Sequence, residues 1–173
     1  MGMKLIITFV VSVTCLNLYS QVNPGAANLR YQAEKMGEAF VSSDYDTYVK
    51  YIYPKIIEIS GGKERLKALL KETVFEMDKE GMKFQKITFD ESSKIIKIGS
   101  QLQCTLQQHT EVKLQQGRVV ATSTLIALSN NNGLNWFFVD TNNKDMALLK
   151  KMIPNLGSDI IIPPQAPAVR YND

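Results

Sequence analysis

The chain has 173 residues, 45% hydrophobic and 21% charged, with a formal net charge of +3. That length predicts one domain whose core needs no metal or disulfide staple. Twenty basic residues against 17 acidic ones give no strong electrostatic draw toward nucleic acid, and one His with two Cys leaves almost nothing for a His/Cys metal site, so no metal or cofactor is expected.

Residues 1–20 read as a secretory signal. Lys4 supplies the positive charge, and residues 5–16 (LIITFVVSVTCL) form an apolar run too short for a permanent membrane span. Asn17, Tyr19, Ser20 and Gln21 end the run, with cleavage expected after Ser20. The protein is therefore expected to be exported, to the periplasm or beyond, with no span in the mature chain. The alternative is a lipoprotein anchored at Cys15, but Ser12, Val13 and Thr14 lack the Leu and the small Gly or Ala that such a signal carries. Removal of the signal leaves Cys104 as the single cysteine, without a disulfide partner. Its position between Leu102 and Leu106 in an alternating stretch predicts a buried apolar thiol.

A loop at Pro24 and Gly25 precedes a helix predicted over 26–42, with Leu29, Ala33, Met36 and Phe40 on one face and Glu34, Lys35 and Glu38 on the other. Ser43 is read as N-cap of a second helix over 44–52, Asp46 reaching back to the cap amide and Pro54 ending the helix. Residues 54–60 read as an apolar connector. Gly61 and Gly62 open a third helix over 63–80, marked by Leu66, Leu69, Leu70, Val74 and Met77, and Gly81 is its left-handed stop. The apolar period then changes to two. Residues 84–89, 94–98, 102–114, 118–129 and 135–140 read as strands, separated by turn residues and joined by loops short enough to require antiparallel pairing. Asn143 is expected to cap a brief helix ending at Pro154, 159–162 could add an edge strand, and 163–173 (PPQAPAVRYND) is expected to fray as a disordered tail. The domain is thus 21–162, of α+β class: three N-terminal helices packed on a curved antiparallel sheet of about five strands, with a short C-terminal helix.

This order of elements carries Ser43-Asp44-Tyr45-Asp46 at the second helix and Tyr53-Pro54 after it. Gly61-Gly62-Lys63-Glu64 opens the third helix, and Asn135-Trp136-Phe137-Phe138-Val139-Asp140 closes the meander. Together they resemble the NTF2-like superfamily, also called cystatin-like or SnoaL-like, over residues 26–153. The likeness is to exported bacterial members without a defined activity. It implies a cone in which a bent sheet wraps the helices, a pocket at the open end, and dimerisation through the outer face of the sheet. Dehydratases, isomerases, binding domains and assembly modules share that fold, so it selects no function. The pocket Asp or His of enzymatic relatives has no residue-by-residue counterpart here.

The candidate residues divide as follows. His109 shares strand parity with Gln101, Gln103, Thr105, Gln107, Glu111 and Lys113, which points it to solvent or a dimer contact; a bulge would reverse that and make it a candidate base. Asp140 follows Trp136 and Phe138 in parity at a strand end, either as a pocket-rim base or as a turn former before Thr141. Asp44 and Asp46 do not share a helix face and read as capping residues. Tyr48, Tyr51, Tyr53, Trp136, Phe138 and Asp140 are the ligand-pocket candidates, aromatic rings with polar tips beside one carboxyl. Residues 118–129 are apolar on both faces (Val119, Ala121, Leu125 and Ala127 against Val120, Ile126 and Leu128), which predicts a homodimer through the sheet. No Ser/His/Asp triad, paired CxxC, HExxH or phosphate-loop pattern occurs. The expectation is a non-catalytic module binding a small apolar ligand or an envelope protein. The alternatives are a dehydratase or isomerase using Asp140 with a Tyr, and a purely structural dimerisation module.

Overall fold

In the computed structural model, which describes residues 24–172, the apolar repeat after Asn23 winds into helix α1 (Pro24–Val41). The expected signal, its cleavage point and Cys15 lie outside the described residues. Leu29, Ala33 and Met36 bury the predicted face of α1. Ser43 takes the left-handed conformation (φ 60°) just beyond the helix, so it does not cap the next one. Asp44 does: its Oδ1 accepts the Thr47 N–H at 3.0 Å at the start of α2 (Tyr45–Tyr48).

The second helix is one turn long, not the span 44–52. Beyond the helix, turn hydrogen bonds from the Lys50, Tyr51 and Ile52 N–H groups to the Thr47, Tyr48 and Val49 carbonyls lead to Ile52, which makes a parallel bridge to Phe138. The Phe138 N–H donates to the Tyr51 carbonyl at 2.7 Å and the Tyr53 N–H to the Phe138 carbonyl at 3.2 Å. The expected connector is instead a helix, α3 (Pro54–Ile59), because Pro54 sits in the first turn, where a fixed φ helps and no N–H is needed. Helix α4 (Lys63–Lys79) lies between Gly62 (φ 98°) and Gly81 (φ 79°). Among the described residues four helices, not three, therefore precede the sheet.

The sheet is antiparallel throughout: β1 (Lys83–Phe89), β2 (Ile96–Ile98), β3 (Gln101–Lys113), β4 (Arg118–Ser129) and β5 (Phe137–Asp140), with β1 and β2 both on the free edge of β3. A sixth strand, β6 (Val169–Tyr171), pairs with residues 118–120 of β4, so the segment expected to fray is tied to the sheet. Gly117 (φ 74°) allows this, because a side chain there would run into the backbone carbonyl of Tyr171. Residues 159–162 form no strand. Ile160 is buried instead, in a turn closed by its N–H to the Gly157 carbonyl.

Each face of the sheet has its own core. Leu29, Ala33 and Met36 of α1 pack on Cys104, Leu106, Leu125, Ala127, Trp136 and Phe138. On the outer face, Ile126, Leu128 and Val139 are covered by α5 (Met146–Met152) and the segment after it, through Leu149, Met152, Ile153, Leu156 and Ile160. Asp145, not Asn143, caps α5, accepting the Leu148 N–H at 2.7 Å. Gln101 and Gln103 keep the predicted polar parity yet are buried. Gln103 donates to the Asn155 carbonyl and accepts the Gly157 N–H, both at 2.9 Å, so the covering backbone satisfies its amide. Among the described residues no helix is long and apolar enough to cross a membrane.

Candidate functional site

The parity that buries Cys104 and Leu106 carries Gln108, Thr110 and Val112 further along β3 to the same inner face, and the parity of Leu125 and Ala127 carries Ser123 and Ala121. At this end a cavity of about 400 Å³ opens, lined by residues of α1, α4 and the sheet. Met36, Phe40, Met77, Phe84, Ile87 and Val112 supply its apolar wall; Tyr48, Gln108, Thr110, Ser123, Asp140 and Asn142 supply the polar groups. Gly37 sets the approach of α1 to β1, since a Cβ there would lie 3.1 Å from Ile87 and Phe89.

A smaller cavity of about 140 Å³ lies under α4, lined by Leu66, Leu70, Ile52, Ile56 and Phe138; Tyr48 and Asp140 line both cavities. Burial, and after it the Asp140 charge, push the Tyr48 phenol up to about 12, which keeps it a protonated donor at neutral pH. Asp140 accepts the Asn142 N–H at 2.7 Å. The Ser123 hydroxyl is buried, with only 7% of the residue exposed, and has no hydrogen-bond partner.

The other sequence candidates lie elsewhere. Tyr51 has Tyr31, Lys35 and Glu38 as its charge neighbours along α1, and Tyr53 packs against the outer core; neither lines the two inner cavities. Trp136 is buried within the inner core with its indole N–H unpartnered, and Phe138 walls the smaller cavity. His109 stands on the outer face, its Nδ1 2.9 Å from Thr122 Oγ1 and its Nε2 3.1 Å from Asp90. Burial pushes the Cys104 thiol up to about 12, which removes thiolate chemistry at neutral pH. Among the described residues no three His, Cys, Asp or Glu side chains come together in a metal-binding group. Gln108, Thr110 and Ser123 were not singled out from the sequence, although polar residues on the apolar parity of two strands are a readable signal.

Comparison with protein-family models, curated proteins and solved structures gives no match, so the site stands on its own chemistry.

Proposed function

We propose that this chain is an exported NTF2-like domain that binds a small, largely apolar molecule in the cavity of about 400 Å³, without transforming it. The observation carrying this reading is the buried, unpartnered Ser123 hydroxyl in a mostly apolar wall. An unsatisfied hydroxyl costs about 1–3 kcal/mol, a cost that a ligand's polar group would remove. Apolar walls with a few convergent polar groups are the usual makeup of small-molecule sites. Tyr48 would donate to an acceptor on the ligand, and Asp140 would accept from a donor.

The test is titration of the mature protein with the fluorescent probe 1-anilinonaphthalene-8-sulfonate. Saturable binding that is lost in Ala121→Phe, which fills the cavity, supports the reading. Equal binding by the variant overturns it.

The Tyr48 and Asp140 pair favours a second reading, a dehydratase or isomerase. Asp140 would take a proton from carbon beside a carbonyl while Tyr48 donates to that carbonyl oxygen. Turnover of a β-hydroxy carbonyl compound that disappears in Asp140→Asn would replace the binding reading. A homodimer would use the part of the outer face left uncovered by α5; analytical ultracentrifugation of the mature chain decides it. An envelope protein as partner is tested by whether it competes with the probe.

A further inference from the structure

A third cavity, of about 360 Å³, lies on the opposite face of the sheet. Its floor is Gln107 of β3 with Thr122 and Thr124 of β4, its side is the turn 141–144, and its roof is the segment 162–166. Gln107 and Thr124 are ladder partners, and the next outward-facing residue of β4 is Ile126 of the outer core. The covering segment thus runs from apolar ground onto a polar floor, where burial of apolar surface no longer holds it. It is held at its far end by the pairing of β6 with β4. Ala121–Thr124 falls between the stretches of β4 that pair with β5 and with β6, so the floor opens where strand cover is missing among the described residues.

The groups on this floor have spare hydrogen-bonding capacity. Thr124 and Thr141 are 7% and 9% exposed, and the Thr141 hydroxyl donates to the Thr124 carbonyl at 2.9 Å. The Thr124 hydroxyl and the side-chain amides of Gln107 and Asn143 have no partner among the described residues. Pro163 and Pro164 bring carbonyls but no N–H to the roof. No carboxylate lines the cavity, and Lys144 is its single charge. The unpaired Gln107 amide and Thr124 hydroxyl below, with the Asn143 amide and one cation at the side, suit a ligand that donates and accepts in many directions. An apolar ligand would leave these groups unpaired, and a polyanion would find one counter-charge.

We propose that this outer cavity is a second binding site, for a hydroxyl-rich ligand of saccharide type, roofed by the 162–166 strap. It goes beyond the inner site, with which it shares only the turn after β5.

The experiment is an amide-resolved NMR titration of the mature chain with glucose, N-acetylglucosamine and glucuronate, on wild type and on Gln107→Leu/Thr124→Val. Saturable shifts confined to residues 107, 122, 124 and 141–144 for at least one sugar are expected, weakened about tenfold or more in the double variant. Lys144→Met should weaken glucuronate selectively if the ligand is acidic and leave the neutral sugars unchanged. Thermal melts of both variants show that they fold. Shifts at Tyr48, Ser123 and Asp140 instead, equal affinity in the double variant, or no saturable shift with any of the three sugars overturns the proposal. Absence of shifts at the outer cavity leaves the apolar-probe titration at the inner site untouched.

Discussion

Tyr48 and Asp140 stand together on the wall common to both inner cavities, although they are far apart in sequence. The bridge between Ile52 and Phe138 joins the chain after α2 to β5 and so fixes the two residues relative to each other. Burial and the neighbouring carboxylate both oppose ionisation of the phenol.

That relationship fixes a pH response. Tyr48 ionises near 12 in the fold against about 10 in an unfolded chain. Between those values the folded state binds more protons, so stability is complete below about pH 10 and falls as pH rises toward 12. Two units correspond to at most about 2.7 kcal/mol. Cys104 adds a fall of the same sign that begins near pH 9. Urea midpoints from pH 8 to 11.5 should decline less steeply for Tyr48→Phe than for wild type; parallel curves would show that Tyr48 carries none of the decline.

Ser123 and Thr141 make a paired test of hydroxyl satisfaction. The Ser123 hydroxyl has no partner, whereas that of Thr141 donates to the Thr124 carbonyl. Ser123→Ala should therefore leave the ligand-free protein equally stable or up to about 1 kcal/mol more stable, while weakening the apolar probe's more polar analogues. Thr141→Val should cost about 1 kcal/mol. Chemical denaturation of both variants checks the contrast, and a clear loss of stability in Ser123→Ala would mean that its hydroxyl is already satisfied.

Helix α4 covers the cavities without being held firmly. None of its residues is fully buried: Leu66, Leu70 and Met77 line the space beneath, while Phe75 is 59% exposed. Glycines with positive φ flank it, Gly62 and Gly81. Hydrogen exchange in α4 should be faster than in β3 and β4, and the apolar probe should slow it in α4 selectively. Gly81→Ala should cost about 1 kcal/mol or more, because the left-handed backbone is strained for Ala and its Cβ would lie 2.8 Å from Gln115. Uniform exchange across α4 and the sheet would remove the idea of a loosely held cover.

Local patterns made much of this fold legible. The predicted face of α1 is the buried one, and the bounds of β4 are those its alternation marks. What escaped was decided at long range. Gln101 and Gln103 sit on the polar parity, and only the arrival of the segment after α5 buries them. Pro54 signals both the end of one helix and the first turn of another, and the connector was read from the first meaning alone. Residues 169–171 are three exposed residues, too short for an alternation to stand out, so their pairing shows only in the ladder with β4. At the site, Tyr48 and Asp140 could be nominated from residue type and strand-end position. Tyr51 falls in the helical span read over 44–52 and Tyr53 just after it; the helix stops at Tyr48, and neither of the two lines the inner cavities.

The outer core supplies the last test, because it occupies the apolar face from which a dimer was expected. Leu149 and Ile153 are fully buried against Ile126, Leu128 and Val139. Truncating either to Ala should cost about 2–5 kcal/mol, the range for large-to-small changes in a closed core. Shortening both should also uncover part of a contiguous apolar surface, so Leu149→Ala/Ile153→Ala should self-associate where the wild type does so less. Gly117→Val, by contrast, detaches β6, whose three residues are all exposed, and strains the left-handed backbone of the β3–β4 turn, and should cost about 1–2 kcal/mol. Light scattering and urea denaturation on the two variants separate these roles. If the double variant kept both wild-type stability and wild-type molecular mass, the C-terminal cover would contribute nothing to the fold, and the outer face would again be open to a second copy.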